Sequence, residues 1–103
     1  MADKDVRMIT LFHSTSPERG NKIMRDGFNV SYDLKNPEST WFTHHQKAAG
    51  MASGSGIWVS IEIERELAEH YRYVELGEKF DTYCIPFSIA NSKRPFSVHV
   101  STE

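Results

Sequence analysis

Cysteine is nearly absent from this sequence. Cys84 stands alone, so no internal disulfide framework can form, and one thiolate cannot assemble a Cys-based zinc site. A reducing compartment suits such a chain. Also missing is any block of five or more Lys and Arg residues. The formal net charge is -2 and the pI is near 6.2, which excludes a broad electrostatic surface for duplex nucleic acid but not a single bound nucleotide. No stretch reaches the roughly 18 apolar residues of a spanning helix, and residues 1–5 lead into no apolar signal core. The expectation is a cytoplasmic protein that does not engage a membrane.

What the chain does contain is an ordinary globular mixture, with 39% hydrophobic and 25% charged residues, too apolar for a disordered segment. Its 103 residues suffice for one modest core, so residues 1–103 are read as a single domain. Residues 6–12 are apolar on both faces, the pattern of a strand covered on both sides. Ser16-Pro17-Glu18 then marks a helix start: a hydroxyl to cap, a ring with preset φ, and an acid at the positive end of the dipole. Arg25 in the last turn and Gly27 beyond it mark the stop, with Phe28 packing back on Ile23 or Met24.

Residues 29–39 read as a loop, and residues 40–43 as a brief strand. Thr43 and Gln46 match a capping box, predicting a short helix through Ala48, Ala49 and Met51, ended by Ser53-Gly54-Ser55-Gly56. Ile57, Val59, Ile61 and Ile63 alternate strictly with Trp58, Ser60, Glu62 and Glu64, predicting a strand with one core face and one wet face. Residues 65–73 are read as a helical turn or two before Gly77. Residues 82–89 alternate again, with Pro86 predicting an edge strand or a bulge, and residues 96–100 form a last strand. The expected fold class is α+β: about five strands in a split, mainly antiparallel sheet with two short helices in the N-terminal half.

Three short pieces carry a resemblance: Leu11-Phe12-His13-Ser14-Thr15, then Ile23-Met24-Arg25-Asp26-Gly27-Phe28, then Trp41-Phe42-Thr43 followed by Ala48-Ala49. Together they resemble the start of the ADP-ribosyltransferase fold of poly(ADP-ribose) polymerases and RNA 2'-phosphotransferases, over roughly the first half of the chain. That family reads aromatic-His-Gly-Thr/Ser, Ile-x-x-x-Gly-Phe/Leu and Gly-x-Tyr-Phe-Ser/Ala. The resemblance implies NAD as substrate. His13 would bond a ribose hydroxyl, Thr15 would orient His13, Trp41 would stack on the nicotinamide and Thr43 would bond the carboxamide, with Ser14 and Phe42 completing the cofactor site.

Cleaving the nicotinamide–ribose bond develops an oxocarbenium-like cation, which requires a carboxylate near the sugar. The family places a Glu before a late strand; here Asp81 is the first candidate and Glu78 the second. The chain departs from the pattern at Ser14 for Gly, Trp41 for Tyr and Ser39 for Gly, and in the displaced carboxylate. These departures bear on turnover more than on binding. A mono-ADP-ribosyltransferase acting on a protein or nucleic-acid end, an inactive binder of NAD or ADP-ribose, an RNA 2'-phosphate-transferring relative and a protein-interaction module all stay open. A rival alignment takes Glu62-Ile63-Glu64 as a Glu-x-Glu pair with Arg7 and Ser39-Thr40. The plain structural alternatives are a His13 bonded to a turn carbonyl, a core role for Trp41 and Phe42, and a solvated role for Glu62 and Glu64.

Overall fold

A computed structural model describes residues 7–29, 35–44 and 57–100. It is an α+β domain built on one six-stranded sheet, with all strand pairs antiparallel. In chain order the elements are β1 (Met8–Thr15), α1 (Pro17–Asp26), β2 (Ser39–Thr43), β3 (Ile57–Glu64), α2 (Arg65–Glu69), β4 (Arg72–Glu75), β5 (Glu78–Pro86), α3 (Phe87–Asn91) and β6 (Ser97–Val100). Across the sheet the order is β4-β5-β2-β1-β3-β6. The predicted helix over residues 44–51 and the Ser-Gly joint lie outside the described residues. Among the described residues no helix is long and apolar enough to cross a membrane.

The alternating pattern decides which face is core. On β3, Val59, Ile61 and Ile63 are buried, and they pair with His13, Leu11 and Ile9 of β1. Phe42 and Thr40 of β2 face Tyr83 and Ile85 of β5 on that same side. Phe28, Phe96, Ala68 and Ala90 close over this face from the helices and loops. Each fully buried Val, Leu, Ile or Phe among them stabilises the fold by about 1.5–3 kcal/mol. The opposite face of β3 was expected to be wet, and only part of it is. Glu62 is exposed, but Trp58 and Ser60 are buried, at 8% and 5% exposure. Ser60 Oγ lies 2.9 Å from Nε2 of His99 on β6, and the Phe12 ring meets the His99 ring edge-on.

α1 follows its sequence signals. Ser16 Oγ accepts from Arg19 N–H at 3.3 Å, and Gly27 N–H donates to the Ile23 carbonyl at 2.7 Å. Gly27 has φ +89°, a conformation that only glycine adopts without strain. Gly20 lies where a Cβ would stand 2.4 Å from Ile57 Cδ1, which lets the helix approach β3 closely.

Three expectations need correction. There are six strands rather than about five, because Arg72–Glu75 extend and pair with β5. Leu76 and Gly77 both have positive φ, +54° and +82°, the requirement of a two-residue type I′ hairpin turn. Leu is an unfavourable residue there, so the sequence hid the hairpin. Second, residues 87–89 are helical: β5 ends at Pro86, and Phe87 N–H donates to the Glu38 carbonyl at 2.8 Å. Third, Pro86 does not put its strand at the edge. β5 lies between β4 and β2, and Pro86, as its last residue, precedes a helix start where a missing N–H costs nothing.

Candidate functional site

β1 pairs with β3 along all eight residues, whereas among the described residues its register with β2 is the pair Phe12–Thr43. Beyond that pair the two strands part, and His13 occupies the gap. Its Nδ1 lies 2.9 Å from the Trp41 carbonyl oxygen and 3.4 Å from Thr40 Oγ1. Phe28 meets the imidazole edge-on at a centroid distance of 5.6 Å, and Phe42 lies tilted to it at 5.8 Å.

Burial lowers the His13 pKa from the ordinary 6.5, and the bond to the Trp41 carbonyl offsets only part of this. The ring is therefore neutral at pH 7. A carbonyl can only accept, so the proton sits on Nδ1 and donates to Trp41, leaving Nε2 as an acceptor. An imidazole in this state suits a hydroxyl donor such as a sugar O–H.

Two cavities meet at His13. The smaller, about 230 Å³, runs beside α1 and is lined by Thr15, Arg19, Lys22, Ile23 and Phe28 among others. The larger is an open hollow of about 1090 Å³, at the upper end of the size of ligand clefts, about 300–1,000 Å³. Trp41, Tyr71, Tyr73, Arg72, Lys35 and Cys84 line it together with His13. No carboxylate is among its described lining residues.

The sequence candidates fall into separate groups. His13 and Trp41 both border the hollow, but their rings leave opposite faces of the sheet. Trp41 stands opposite Cys84 and packs edge-on against Tyr73 at 5.8 Å, whereas His13 shares the core face with Phe42. The link between them is the Trp41 main-chain carbonyl. Thr15 is buried and lines the smaller cavity. Phe42 is a core residue at 2% exposure, and neither it, Ser14 nor Thr43 lines either cavity. Thr43 Oγ1 donates to the Asp81 carbonyl at 3.0 Å.

Asp81 and Glu78 also lie outside both cavities. The Asp81 carboxylate accepts from Arg72 Nη2 at 2.9 Å, and Glu78 pairs with Glu75 beside the hairpin turn. The rival pair is occupied elsewhere: Glu62 accepts from Thr10 Oγ1, and Glu64 from Lys93 Nζ.

Sequence reasoning placed Thr40 only in the rival alignment, although its Oγ1 lies beside His13 Nδ1, and missed Arg72, which borders the hollow. The run His70-Tyr71-Arg72-Tyr73 carried a signal for the latter, because basic residues interleaved with aromatics suit a ligand with both phosphates and flat rings. Comparison of the chain with protein-family models, with curated proteins and with solved structures found no match.

Proposed function

We propose that this chain is a nucleotide-binding domain of the ADP-ribosyltransferase type that holds NAD or ADP-ribose in the hollow where β1 and β2 part, and that it binds without cleaving. The observation that carries this reading is the lining of the hollow: an acceptor imidazole, Trp41 and Tyr73, Lys35 and Arg72, with no carboxylate among the described lining residues. Aromatic faces suit a base or a nicotinamide, cations suit a diphosphate, and a neutral His suits a ribose hydroxyl. What this set lacks is the carboxylate that stabilises an oxocarbenium-like transition state. The resemblance in residues 11–43 supports the same ligand class, and a reducing cytoplasm is the compartment that fits it.

A second reading, transfer of ADP-ribose to a protein or nucleic-acid end, is favoured by one contact. Arg72, which lines the hollow, holds the Asp81 carboxylate at 2.9 Å, so a candidate acid lies one ion pair from the ligand space.

Calorimetry with ADP-ribose and NAD, paired with chromatography for free nicotinamide in the presence of cell extract, tests both readings. The expected result is saturable binding of both ligands, abolished by His13→Ala, with no nicotinamide released. Release that depends on Asp81 would move the protein to the second reading. Absence of binding by either nucleotide would refute the nucleotide reading altogether.

A further inference from the structure

The smaller cavity has walls that the nucleotide reading leaves unused. Gly20 sets one edge of α1 close on β3, and Arg19, Lys22 and Ile23 follow one another round the neighbouring flank of the helix, where they line the cavity with His13 and Thr15 of β1. Ile23 and Phe28 are its apolar walls. Phe28 is held in place, because Asn91 bonds both its N–H and its carbonyl. His13 supplies a neutral nitrogen: Nδ1 is engaged by the Trp41 carbonyl, and Nε2 has no hydrogen-bond partner among the described residues. The charged groups of the lining are two cations, Arg19 and Lys22, and one acid, Glu18. At about 230 Å³ the cavity is smaller than the roughly 300 Å³ at which drug-sized clefts begin, so it suits a single ring and not a dinucleotide.

We propose that this cavity is a separate site for a small aromatic acid bearing a hydroxyl: the ring lies against Ile23 and Phe28, the hydroxyl donates to His13 Nε2, and the carboxylate lies at Arg19 and Lys22. Each part follows from one feature of the lining. Apolar walls take ring surface out of water, a nitrogen that only accepts selects an O–H donor, and cations in the first half of a helix select an anion. Glu18 opposes part of that attraction. The site does not depend on the nucleotide reading of the hollow. Where that reading also holds, Nε2 accepts from one donor at a time, so the small acid and a ribose hydroxyl exclude each other at His13.

The probes are 4-hydroxybenzoate, benzoate and phenol, titrated into the full chain at two salt concentrations and followed by amide chemical shifts. 4-Hydroxybenzoate should move the resonances of Thr15, Lys22, Ile23 and Phe28 and leave those of Tyr73 and Cys84 in place. Benzoate, which lacks the hydroxyl, should bind roughly twofold to tenfold more weakly, the loss of one neutral hydrogen bond. Phenol, which lacks the carboxylate, should also bind more weakly, and without the salt dependence of the acids. Lys22→Gln should weaken 4-hydroxybenzoate by about threefold, the effect of one unit charge about 6 Å away in a water-like dielectric. His13→Phe should erase the preference for 4-hydroxybenzoate over benzoate, and Ile23→Trp, which puts an indole into the cavity, should abolish binding. A melting curve for each variant shows whether it is folded.

If no probe moves the cavity resonances, or if the shifts fall on Tyr73 and Cys84 instead, the site is refuted. Equal affinities for benzoate and 4-hydroxybenzoate in the wild type would refute the role of His13, and a folded Lys22→Gln that binds as the wild type does would refute the role of Lys22. If 4-hydroxybenzoate binds while ADP-ribose and NAD do not, this site stands and the nucleotide reading falls. If the nucleotides bind and the small acids do not, the nucleotide reading survives and this proposal fails. If both bind, saturating ADP-ribose should weaken 4-hydroxybenzoate; unchanged affinity would refute the exclusion at His13.

Discussion

Asn91 offers the sharpest test of what holds the candidate site together. Its Oδ1 accepts from Phe28 N–H at 2.7 Å and its Nδ2 donates to the Phe28 carbonyl at 3.1 Å. One side chain thus satisfies both main-chain polar groups of a residue that is 3% exposed. Phe28 in turn packs on His13, Phe42 and Phe96, with centroids 5.6, 5.2 and 5.1 Å away. Asn91→Ala removes two hydrogen bonds, each contributing about 1 kcal/mol net, and leaves two groups without partners in a dry setting, a cost of about 1–3 kcal/mol for a buried group. A loss of about 2–4 kcal/mol follows once partial relaxation is allowed. At about 4–8 °C per kcal/mol for a domain of this length, the melting temperature should fall by roughly 8–30 °C. Circular dichroism melts and urea titrations would measure this directly. Asn91→Asp, which keeps the acceptor and loses the donor, should fall between. A cost under about 1 kcal/mol for Asn91→Ala would mean that Phe28 is held by ring packing alone, and the reasoning would be refuted.

Leu76→Asn should stabilise the protein by about 1 kcal/mol in urea titrations, because Leu76 sits at φ +54° and is 99% exposed, so the change removes left-handed strain and forfeits no packing. Gly27→Ala should destabilise by about 2 kcal/mol or more. At φ +89° and ψ 179° the backbone is in glycine's own territory, and the new Cβ would stand 2.8 Å from both Asn91 Oδ1 and Arg94 Nη2. The pH dependence of stability should carry a His13 component with a definite sign. The folded ring titrates below the unfolded value of 6.5, so its contribution is complete above that pH. As pH falls below 6.5 the unfolded chain takes up the proton first, and stability drops at up to about 1.4 kcal/mol per pH unit until the folded ring also titrates. Comparing urea midpoints of wild type and His13→Gln from pH 7.5 to 5 isolates this slope; identical profiles would contradict it.

Much of this architecture was legible where local chemistry and tertiary packing agree. Ser16-Pro17 and Gly27 announce both ends of α1, and the Ile57 to Glu64 alternation announces β3 and its buried face. The failures share a physical cause. Leu76 occupies a turn position that favours Asn or Gly, so the β4–β5 hairpin carried no signal. Phe87 and Ile89 continue the alternation of β5, so the pattern carried no sign of the helix that starts at Phe87, whose N–H is satisfied by the distant Glu38 carbonyl. The site was half visible. His13 and Trp41 stood out by type and spacing, but their opposite faces depend on strand register, and Arg72 borders the hollow only because an unexpected strand pairs with β5.

Among the described residues, the rung between Phe12 and Thr43 joins two triplets of strands, β4-β5-β2 and β1-β3-β6. In these described residues β1 and β2 share one register pair, whereas β1 and β3 share eight. Opening the β1–β2 border therefore costs fewer of the described ladder bonds than opening the β1–β3 border, while the packing of His13 on Phe42 holds it from the core side. Deuterium should enter the β1–β2 border ahead of the β1–β3 ladder.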